Sequence, residues 1–436
     1  MGHSRFALPS RSAKWSRLQP TCHSKLINYQ TTGPADSCWL EPVMTDSVLQ
    51  ATLNVTEASQ RDWDVLVIGA GPSGAIAARQ CAQGGGKVLL VNDQKLPRDK
   101  VCGCCLNGAA LEALNRIGLN KLVSDCHAPI LENFVLASGQ QQVALPLGAG
   151  VSLSRQRLDL ELTQAAIDAG AQFLDETRAT LHASEKQHCS VMLNHSQSEY
   201  ATRARITIIA SGLGRRVFSN RLADERRTNR NSRIGAGAVL SEVRSDFKPK
   251  TIYMACHRSG YVGCVRLEDG RLDLAAALDA NAVKQAGGIG PLASIITNSA
   301  GLPASDAVAA ANWRGTAKLT QSRATVYGDR LFVVGDAAGY VEPFTGEGMA
   351  WAIASGIAVA PLALQSLKVG TTETGPTWAK SRTRLLGGRM WKCRLISQLL
   401  RRPKLVKAAA WGLSHAPGLS RPFIRSLNRP FPELRS

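Results

Sequence analysis

The stretch DVLVIGAGPSG, residues Asp64–Gly74, decides how the first part of this chain folds. Its first five residues are mostly apolar, which is typical of a short strand buried on both faces. A glycine-rich turn follows, and the alanine-rich residues 75–82 after it are typical of a helix. A second apolar run, Lys87–Val91, comes a few residues later. The order of strand, tight turn, helix and strand predicts the βαβ unit with which many folds bind a dinucleotide.

Each glycine of the turn has a separate task in such a unit. Gly69 makes the tight turn, Gly71 lets the backbone approach a pyrophosphate, and Gly74 lets helix and strand pack closely. Pro72 and Ser73 lie at the start of the helix, where free amide groups face an anionic ligand. We therefore predict that this turn holds a diphosphate.

The composition is that of a globular protein with an uneven charge. Of 436 residues, 44% are hydrophobic and 19% charged, which excludes a chain disordered throughout and allows two or three domains. Much of the net charge of +19 lies near the C-terminus, where residues 380–436 hold fourteen Lys or Arg and a single acid, Glu433. Eleven cysteines, an odd number spread along the chain, indicate reduced thiols and a cytoplasmic protein rather than a disulfide framework.

The first residues show no secretory signal, because residues 1–20 lack a sustained apolar core. Met44 begins a shorter chain that fits the predicted fold, so we expect residues 1–60 to be an extension that is disordered or a start-site artefact. A transit peptide is the alternative, since residues 1–35 hold five basic residues and no acid. The longest apolar run, Met349–Leu364, is interrupted by a glycine and a proline, and we expect a buried helix there rather than a membrane span.

The end of the second strand carries two polar residues, Asn92 and Asp93. A ribose-binding acid normally follows the glycine turn by about 20 residues. Asn92 stands at that place and can hydrogen-bond a ribose hydroxyl, while Asp93 beside it can form the stronger, charged bond. Both residues are therefore candidate ribose ligands.

The remaining chain predicts a second lobe of different architecture. Residues 134–145 are expected to form a strand or a hairpin, and residues 154–169 an amphipathic helix. Residues 234–278 alternate in character between turns, which predicts an antiparallel sheet. The polar residues 221–233 before them are expected to connect the lobes. A last buried strand, Arg330–Val334, then runs into Gly335.

Three separated stretches resemble one superfamily of flavoproteins. They are DVLVIGAGPSG, the segment RDKVCG at residues 98–103, and GDAAGYVEPFTGEGMAWAIASG at residues 335–356. Together they resemble the flavoprotein hydroxylases and, within them, the geranylgeranyl reductases and their electron-transfer oxidoreductase relatives. The resemblance covers residues 62–370.

The resemblance implies an α/β fold. A Rossmann-like FAD-binding domain, built on the βαβ unit, would carry an inserted antiparallel-sheet substrate domain and end in a helical C-terminal segment. The FAD would be bound non-covalently. The FAD-binding domain would take residues 61–130, 151–220 and 316–370, the substrate domain residues 131–150 and 230–315, and the basic helical segment residues 371–436.

The resemblance also implies cofactor contacts, in five groups along the chain. They are Gly69, Gly71, Pro72, Ser73 and Gly74 at the pyrophosphate, Asn92 and Asp93 at the ribose, Lys100, Cys102 and Arg155 near the flavin or its phosphates, Gly335 and Asp336 at the ribityl chain, and Gly346, Glu347, Gly348 and Met349 near the isoalloxazine ring. Aromatic hydroxylases usually carry Gln where Glu347 stands, so this last group favours the reductases.

The catalytic side chains are less evident from the resemblance. The flavin itself would carry the chemistry, and Cys102 and Tyr261 are the candidates beside flavin and substrate. Cys102 and Cys105 also form a CxxC that can act as a dithiol, but no second CxxC or His pair completes a zinc set, so no metal is expected. The family's Tyr-x-Trp-x-Phe-Pro element is replaced here by YVGCVR, residues 261–266, and the Trp pairs of flavin halogenases are missing.

The expected function is hydride transfer through flavin N5 to a hydrophobic small molecule of prenyl, lipid or polyketide type. The alternatives are a monooxygenase that hydroxylates an aromatic or polyketide substrate and an electron-relay flavoprotein with a protein partner. Residues 235–240 lack the third glycine of a second dinucleotide turn, so NAD(P)H would dock transiently or a reduced protein would donate the electrons.

The basic C-terminal segment interleaves charged with apolar residues. Its apolar positions fall on one helical face, and Pro403 ends that helix. They are Trp391, Leu395, Ile396, Leu399 and Leu400. A solvated helical cap and a peripheral contact with an anionic membrane both fit this pattern. Binding of nucleic acid is not expected, because no reading motif is present.

Overall fold

The computed structural model describes residues 48–434 except 140, 186, 220–225, 242–246, 304 and 343. The expectations about residues 1–43 and Met44 lie outside this part. The structured chain begins before the boundary expected at residue 60. Leu49 and Leu53 are buried, and the Leu49 amide donates to the Leu96 carbonyl at 3.0 Å, so this segment belongs to the core.

The helices and strands are numbered here in chain order. The helices are α1 (Val55–Ser59), α2 (Pro72–Gln83), α3 (Gly108–Arg116), α4 (Leu122–Asp125), α5 (Arg155–Asp168), α6 (Ala280–Gln285), α7 (Ile289–Ser299), α8 (Ser305–Ala310), α9 (Gly348–Val369), α10 (Thr371–Leu399), α11 (Pro403–His415) and α12 (Arg421–Asn428). The strands are β1 (Asp62–Ile68), β2 (Val88–Val91), β3 (Cys105–Asn107), β4 (Asn133–Ser138), β5 (Gln141–Pro146), β6 (Gly150–Ser152), β7 (Gln172–Leu174), β8 (Arg178–Ser184), β9 (Cys189–His195), β10 (Ser198–Ile209), β11 (Arg226–Thr228), β12 (Ile234–Leu240), β13 (Thr251–His257), β14 (Gly260–Arg266), β15 (Leu272–Leu278), β16 (Arg314–Lys318), β17 (Gln321–Arg323), β18 (Tyr327–Gly328), β19 (Leu331–Val333) and β20 (Gly339–Tyr340).

A mostly parallel sheet forms the centre of the nucleotide-binding part. Its strands run in the order β18-β19-β10-β1-β2-β7, and β9 and β8 extend it from β10. The pairings of β1 with β10 and β2, of β10 with β19 and of β2 with β7 are parallel. All of β2 is buried, as expected for a strand covered on both faces. The predicted βαβ unit is confirmed as β1, α2 and β2.

Helix α9 packs along α2, and small residues set the distance between them. A Cβ on Gly356 of α9 would lie 2.5 Å from the carbonyl oxygen of Ser73 and 3.0 Å from the Cβ of Ile76, both in α2. Among the described helices, α9 is long and apolar enough to cross a membrane, but 61% of its most apolar window is buried inside the protein. This burial agrees with the helix expected at residues 349–364.

The second sheet has the strand order β16-β12-β15-β14-β13-β4-β5. The strands of residues 234–278 pair antiparallel, as expected, whereas β4 from outside that range pairs in parallel with β13. The reason is topological, because the β4-β5 hairpin comes from an earlier part of the chain and joins the sheet at its edge. Leu292 and Ile296 of α7 pack on one face. The other face, with Met254 and Tyr261, lines a cavity.

The C-terminal segment is helical, as expected, and packs onto the rest of the protein. Met390 of α10 and Val406 and Ala410 of α11 are buried in the core. Asn428, at the end of α12, accepts from the Gly108 amide at 2.9 Å and donates to the Leu147 carbonyl at 3.0 Å. The segment is therefore packed against the rest of the protein and is not merely a solvated helical cap.

The apolar stripe expected in this segment divides into two parts. Leu400 is 7% exposed and belongs to the core, whereas Trp391, Leu395 and Leu399 remain exposed. Helical periodicity therefore located these residues on a helix without showing which of them faces the protein.

Replacement of Gly356 by alanine tests the close approach of α2 and α9. The added Cβ would overlap backbone, so the free energy of unfolding should fall by about 1–3 kcal/mol. Gly388→Ala in α10 is the matched control, because a Cβ there meets nothing within 4 Å and should leave stability unchanged or raise it by about 0.5–1 kcal/mol. Urea unfolding of both variants gives the comparison, and equal stabilities would contradict this packing.

Candidate functional site

Two cavities meet at the glycine turn. The larger, of about 930 Å³, extends between the turn, the second sheet and the C-terminal helices. The smaller, of about 310 Å³, lies beside the ends of β1 and β2. Gly71, Arg98 and Lys100 line both. A ligand bound across the turn would therefore reach into both spaces.

The glycine turn has the geometry that its sequence predicts. Gly69 has a φ of +108°, and a Cβ there would lie 2.6 Å from the carbonyl oxygen of Ala210. At Gly71 an added Cβ would meet only the Arg155 guanidinium, at 3.6 Å, so this position borders open space. Asn92 steadies the turn, because its Oδ1 accepts from the Ala70 amide at 3.2 Å.

A cluster of cations stands beside the turn. Arg155 donates from Nε and Nη2 to the two oxygens of Asp159, at 2.9 and 2.8 Å, and Arg98 lies 3.4 Å from the same carboxylate. Burial, together with Arg155 and Arg98, lowers the pKa of Lys100 to about 8. The cluster therefore holds more positive than negative charge, as a diphosphate site requires.

The late glycine motif closes onto the early one. Gly335 has a φ of +58°, and a Cβ there would lie 2.9 Å from the Cβ of Ser73 in the first turn of α2. Asp336 follows on the cavity wall. Burial raises its pKa, and Lys100 and Arg155 oppose that shift. The structure thus brings together residues that are more than 250 positions apart in the sequence.

The segment Gly346–Met349 is only partly as expected. Gly346, Gly348 and Met349 line the large cavity, at the start of α9. The Glu347 carboxylate does not face it. It pairs with Arg389 at 2.7 Å and accepts from the Thr345 hydroxyl at 3.1 Å. The expected flavin contact of the Glu347 side chain is therefore replaced by a contact to α10, because a buried carboxylate requires a cation.

The two candidate ribose ligands have different surroundings. Asn92 is buried, and its amide groups are used by Ala70 and by the Gln94 carbonyl, to which Nδ2 donates at 2.7 Å. Asp93 forms an ion pair with Arg215, and both line the smaller cavity. The charged candidate is thus the more accessible one.

The cysteines of the segment Cys102–Cys105 form part of the wall of the large cavity. A hydrogen bond from Cys104, opposed by burial and aided by Arg155, lowers the pKa of Cys102 to about 6. Burial raises the pKa of Cys105 well above its usual value. Tyr261 also lines the cavity, and its ring meets Phe344 edge to face at 5.1 Å. Both candidate catalytic side chains therefore face this space.

Sequence reasoning missed several residues of the cavity wall. Leu413, Leu419 and Phe423 come from the C-terminal helices, which carried no site motif. Asp273 lies on β15 and lines the large cavity. The feature of the sequence that could have indicated it is an acid within the otherwise apolar strand LDLAAAL. Arg98 stood in the quoted segment RDKVCG but was not assigned a role.

The residues present fit FAD. Ser73 Oγ and Arg98 Nε are buried without a hydrogen-bond partner among the described residues, and both lie in residues that line the large cavity. Such atoms cost about 1–3 kcal/mol when left unpaired. A diphosphate across Gly71 would accept from them and offset the excess charge of Arg98, Lys100 and Arg155.

Early and late glycine motifs that meet beside a cluster of cations are the arrangement expected of a flavin-dependent oxidoreductase. Residues 62–363 match the FAD binding domain family, and because this match spans most of the chain, the chain belongs to that family. The protein is therefore an FAD-dependent enzyme, and its relatives include reductases.

Two curated relatives are reductases. The chain is 27% identical over 333 residues to the menaquinone reductase of Mycobacterium tuberculosis, covering 69% of this chain and 76% of that protein. It is also 27% identical over 342 residues to digeranylgeranylglycerophospholipid reductase 2 of Methanosphaera stadtmanae, covering 70% of this chain and 79% of that protein.

Solved structures share the fold at low sequence identity. A flavoprotein/dehydrogenase from Cytophaga hutchinsonii superimposes with a TM-score of 0.72 at 19% identity, covering 84% of this chain and 93% of that one. A flavin-dependent brominase superimposes with a TM-score of 0.68 at 17% identity, covering 84% of this chain and 94% of that one. These similarities establish the fold and leave the reaction open.

Gly71→Val tests the cofactor position. An added Cβ at Gly71 meets only the Arg155 guanidinium, at 3.6 Å, so the variant should fold, but its side chain would fill the place where a diphosphate meets the turn. We expect purified wild-type protein to carry FAD and the variant to lack it, at an unchanged melting temperature of the cofactor-free forms. Full FAD occupancy of Gly71→Val would contradict the site. Gly388→Ala, far from the turn in sequence and surrounded by open space, is the control and should retain FAD.

Proposed function

We propose that this enzyme reduces carbon–carbon double bonds in the polyprenyl chain of a lipid. The observation that carries the proposal is the large cavity, which continues from the cofactor turn into a wall of apolar side chains. Bound FAD would supply a hydride from N5 of its reduced form. The protein would position the apolar chain and exclude water.

The cavity wall suits a long, flexible hydrocarbon. Phe134, Leu136, Met254 and Phe344 lie along it, and Gly263 and other small residues of the second sheet leave room between them. Apolar ligands gain about 25 cal/mol for each Å² removed from water, so such a wall binds a chain without hydrogen bonds. The relatives named as reductases support this substrate class, because menaquinone and digeranylgeranylglycerophospholipids both carry polyprenyl chains.

The electron source belongs to the same proposal. The only glycine turn of dinucleotide type in the described residues is the one assigned to FAD, and residues 235–240 form strand β12 of the second sheet. NAD(P)H would therefore dock transiently at the cavity, or a reduced protein would donate electrons.

Anaerobic reoxidation of the reduced enzyme tests the function. A digeranylgeranylglycerophospholipid should restore the absorbance of oxidised flavin and gain two hydrogens per double bond in its mass spectrum. The fully saturated diphytanyl lipid, which has the same shape without double bonds, should do neither.

Other outcomes would identify the alternatives. Reoxidation that requires oxygen and adds an oxygen atom to an aromatic substrate would make the enzyme a monooxygenase. Rapid electron exchange with an acceptor protein only, and no change in any lipid, would make it an electron relay. Either result would overturn the proposed reductase.

We also propose that α11 and α12 bring the cavity to an anionic membrane surface. Leu419 and Phe423 are 71% and 42% exposed and also line the cavity, so they form its mouth. Trp411 is exposed nearby in the chain. The same two helices carry exposed basic residues, namely Lys404, Lys407, Arg421 and Arg425. Exposed apolar residues among basic ones are the composition of helices that lie at an anionic bilayer surface.

The double variant Leu419→Glu, Phe423→Glu should reduce co-sedimentation with phosphatidylglycerol vesicles. Each exposed Lys or Arg contributes about 1 kcal/mol at such a surface, and salt screens this attraction, so high salt should reduce binding by the wild type as well. Ile295→Glu is the control, because Ile295 is 50% exposed on α7, which covers the opposite face of the second sheet. Equal binding by the double variant and the control at low salt would contradict the membrane contact.

A further inference from the structure

A single carboxyl interrupts the apolar strand β15. Side chains alternate along a strand, so Asp273 shares a face with Ala275 and Ala277, while Leu272 and Leu274 point to the packed core. The face with Asp273 is the one that borders the large cavity. Asp273 is 5% exposed. An acid at this position therefore lies in the wall of the proposed substrate space.

No ion pair to this carboxyl is found in the described part of the chain. Its Oδ2 is buried without a hydrogen-bond partner there, and Arg271 pairs with Asp269 at 2.6 Å instead. Cys104 is within hydrogen-bonding reach of the carboxyl, and Cys102 and Glu268 add negative charge nearby. Burial raises the pKa of Asp273 well above its usual value, and Cys102 and Glu268 raise it further, while the hydrogen bond from Cys104 and the charge of Arg271 oppose the shift. The surroundings of Asp273 therefore favour its protonated form over the carboxylate.

Small residues lie beside Asp273 on the same face of the sheet. In the register of the sheet Asp273 is flanked by Val239 and Val265, and the next row on this face is Gly237, Ala275 and Gly263. A Cβ on Gly237 would lie 3.1 Å from Cγ1 of Val101, so Val101 covers that end of the row. Gly263 and Ala275 line the large cavity together with Asp273, so the carboxyl borders the space proposed for the substrate.

Three other titratable groups of the wall suit proton donation less well. The lowered pKa of Cys102 keeps it a thiolate near pH 7, which has no proton to give. The pKa of Tyr261 is raised well above its usual value by burial, which makes its hydroxyl a poor acid. Asp336 lies among Lys100 and Arg155, at the phosphate end.

We propose that Asp273 is the proton donor of the reduction. The inference rests on the proposed function and names the residue that completes it. In this step the π bond of the alkene would be lost: bound reduced FAD would supply the hydride, with its electron pair, to one carbon, and the other carbon would receive the proton of the Asp273 carboxyl. The carboxylate left behind takes up a proton from water before the next turnover.

Asp273→Asn keeps the shape of the side chain and removes its proton. The variant should retain FAD and be reduced by dithionite as fast as the wild type. Its anaerobic reoxidation by the digeranylgeranylglycerophospholipid should be at least about 100-fold slower, the lower range for the loss of a general acid. Asp125→Asn, at an exposed acid of α4, is the control and should react like the wild type.

A second measurement does not depend on activity. Infrared difference spectra of the cofactor-free wild type against Asp273→Asn should show the carbonyl band of a protonated carboxyl at pH 7, and this band should be lost as the pH rises. Reoxidation of Asp273→Asn at the wild-type rate would overturn the inference, and so would the absence of that band. Failure of the wild type itself to be reoxidised by the lipid would instead overturn the proposed function.

Discussion

The ion pair between Arg155 and Asp159 is the interaction on which the cofactor site depends. Asp159 is fully buried, and both of its oxygens accept from one guanidinium. A planar guanidinium held at two atoms has a fixed orientation, so Arg155 stands next to Gly71 before any ligand arrives. Buried pairs of this kind contribute little net stability, because desolvation offsets their attraction. The pair is therefore better explained by positioning than by stability.

The charge of this cluster divides the large cavity into two regions. Around the turn, the charge of Arg98, Lys100 and Arg155 exceeds that of Asp159, and Asp336 is a further acid that interacts with Lys100 and Arg155. Along the second sheet the wall is mostly apolar, and burial there favours the protonated form of Asp273. An anionic cofactor and an uncharged hydrocarbon can therefore occupy the same space without competing, since each is favoured at a different end.

The sequence was most informative where structure is local. Strand β1, the turn at Gly69–Gly74 and helix α5 follow from patterns within about 15 residues, because backbone conformation and amphipathic periodicity act over that range. The sequence did not predict the side-chain partner of Glu347, because Arg389 approaches this residue from another helix. Asp273 was missed for the same reason, since an alternating strand shows which residues share a face but not whether that face meets a core or a cavity.

The C-terminal helices show why charge alone does not assign a role to a segment. Met390 and Val406 anchor them in the core, while Leu419 and Phe423 both line the cavity and remain exposed. A lipid that enters there would pass from one apolar surface to another and avoid the cost of crossing water, about 25 cal/mol for each Å² exposed. Basic residues at such a mouth could hold the cavity entrance against anionic head groups. They can do so only outside the cavity, where water and lipid phosphates solvate their charges. The proposed membrane contact therefore requires helices that pack against the protein, because a detached tail would bind a membrane without bringing the cavity to it.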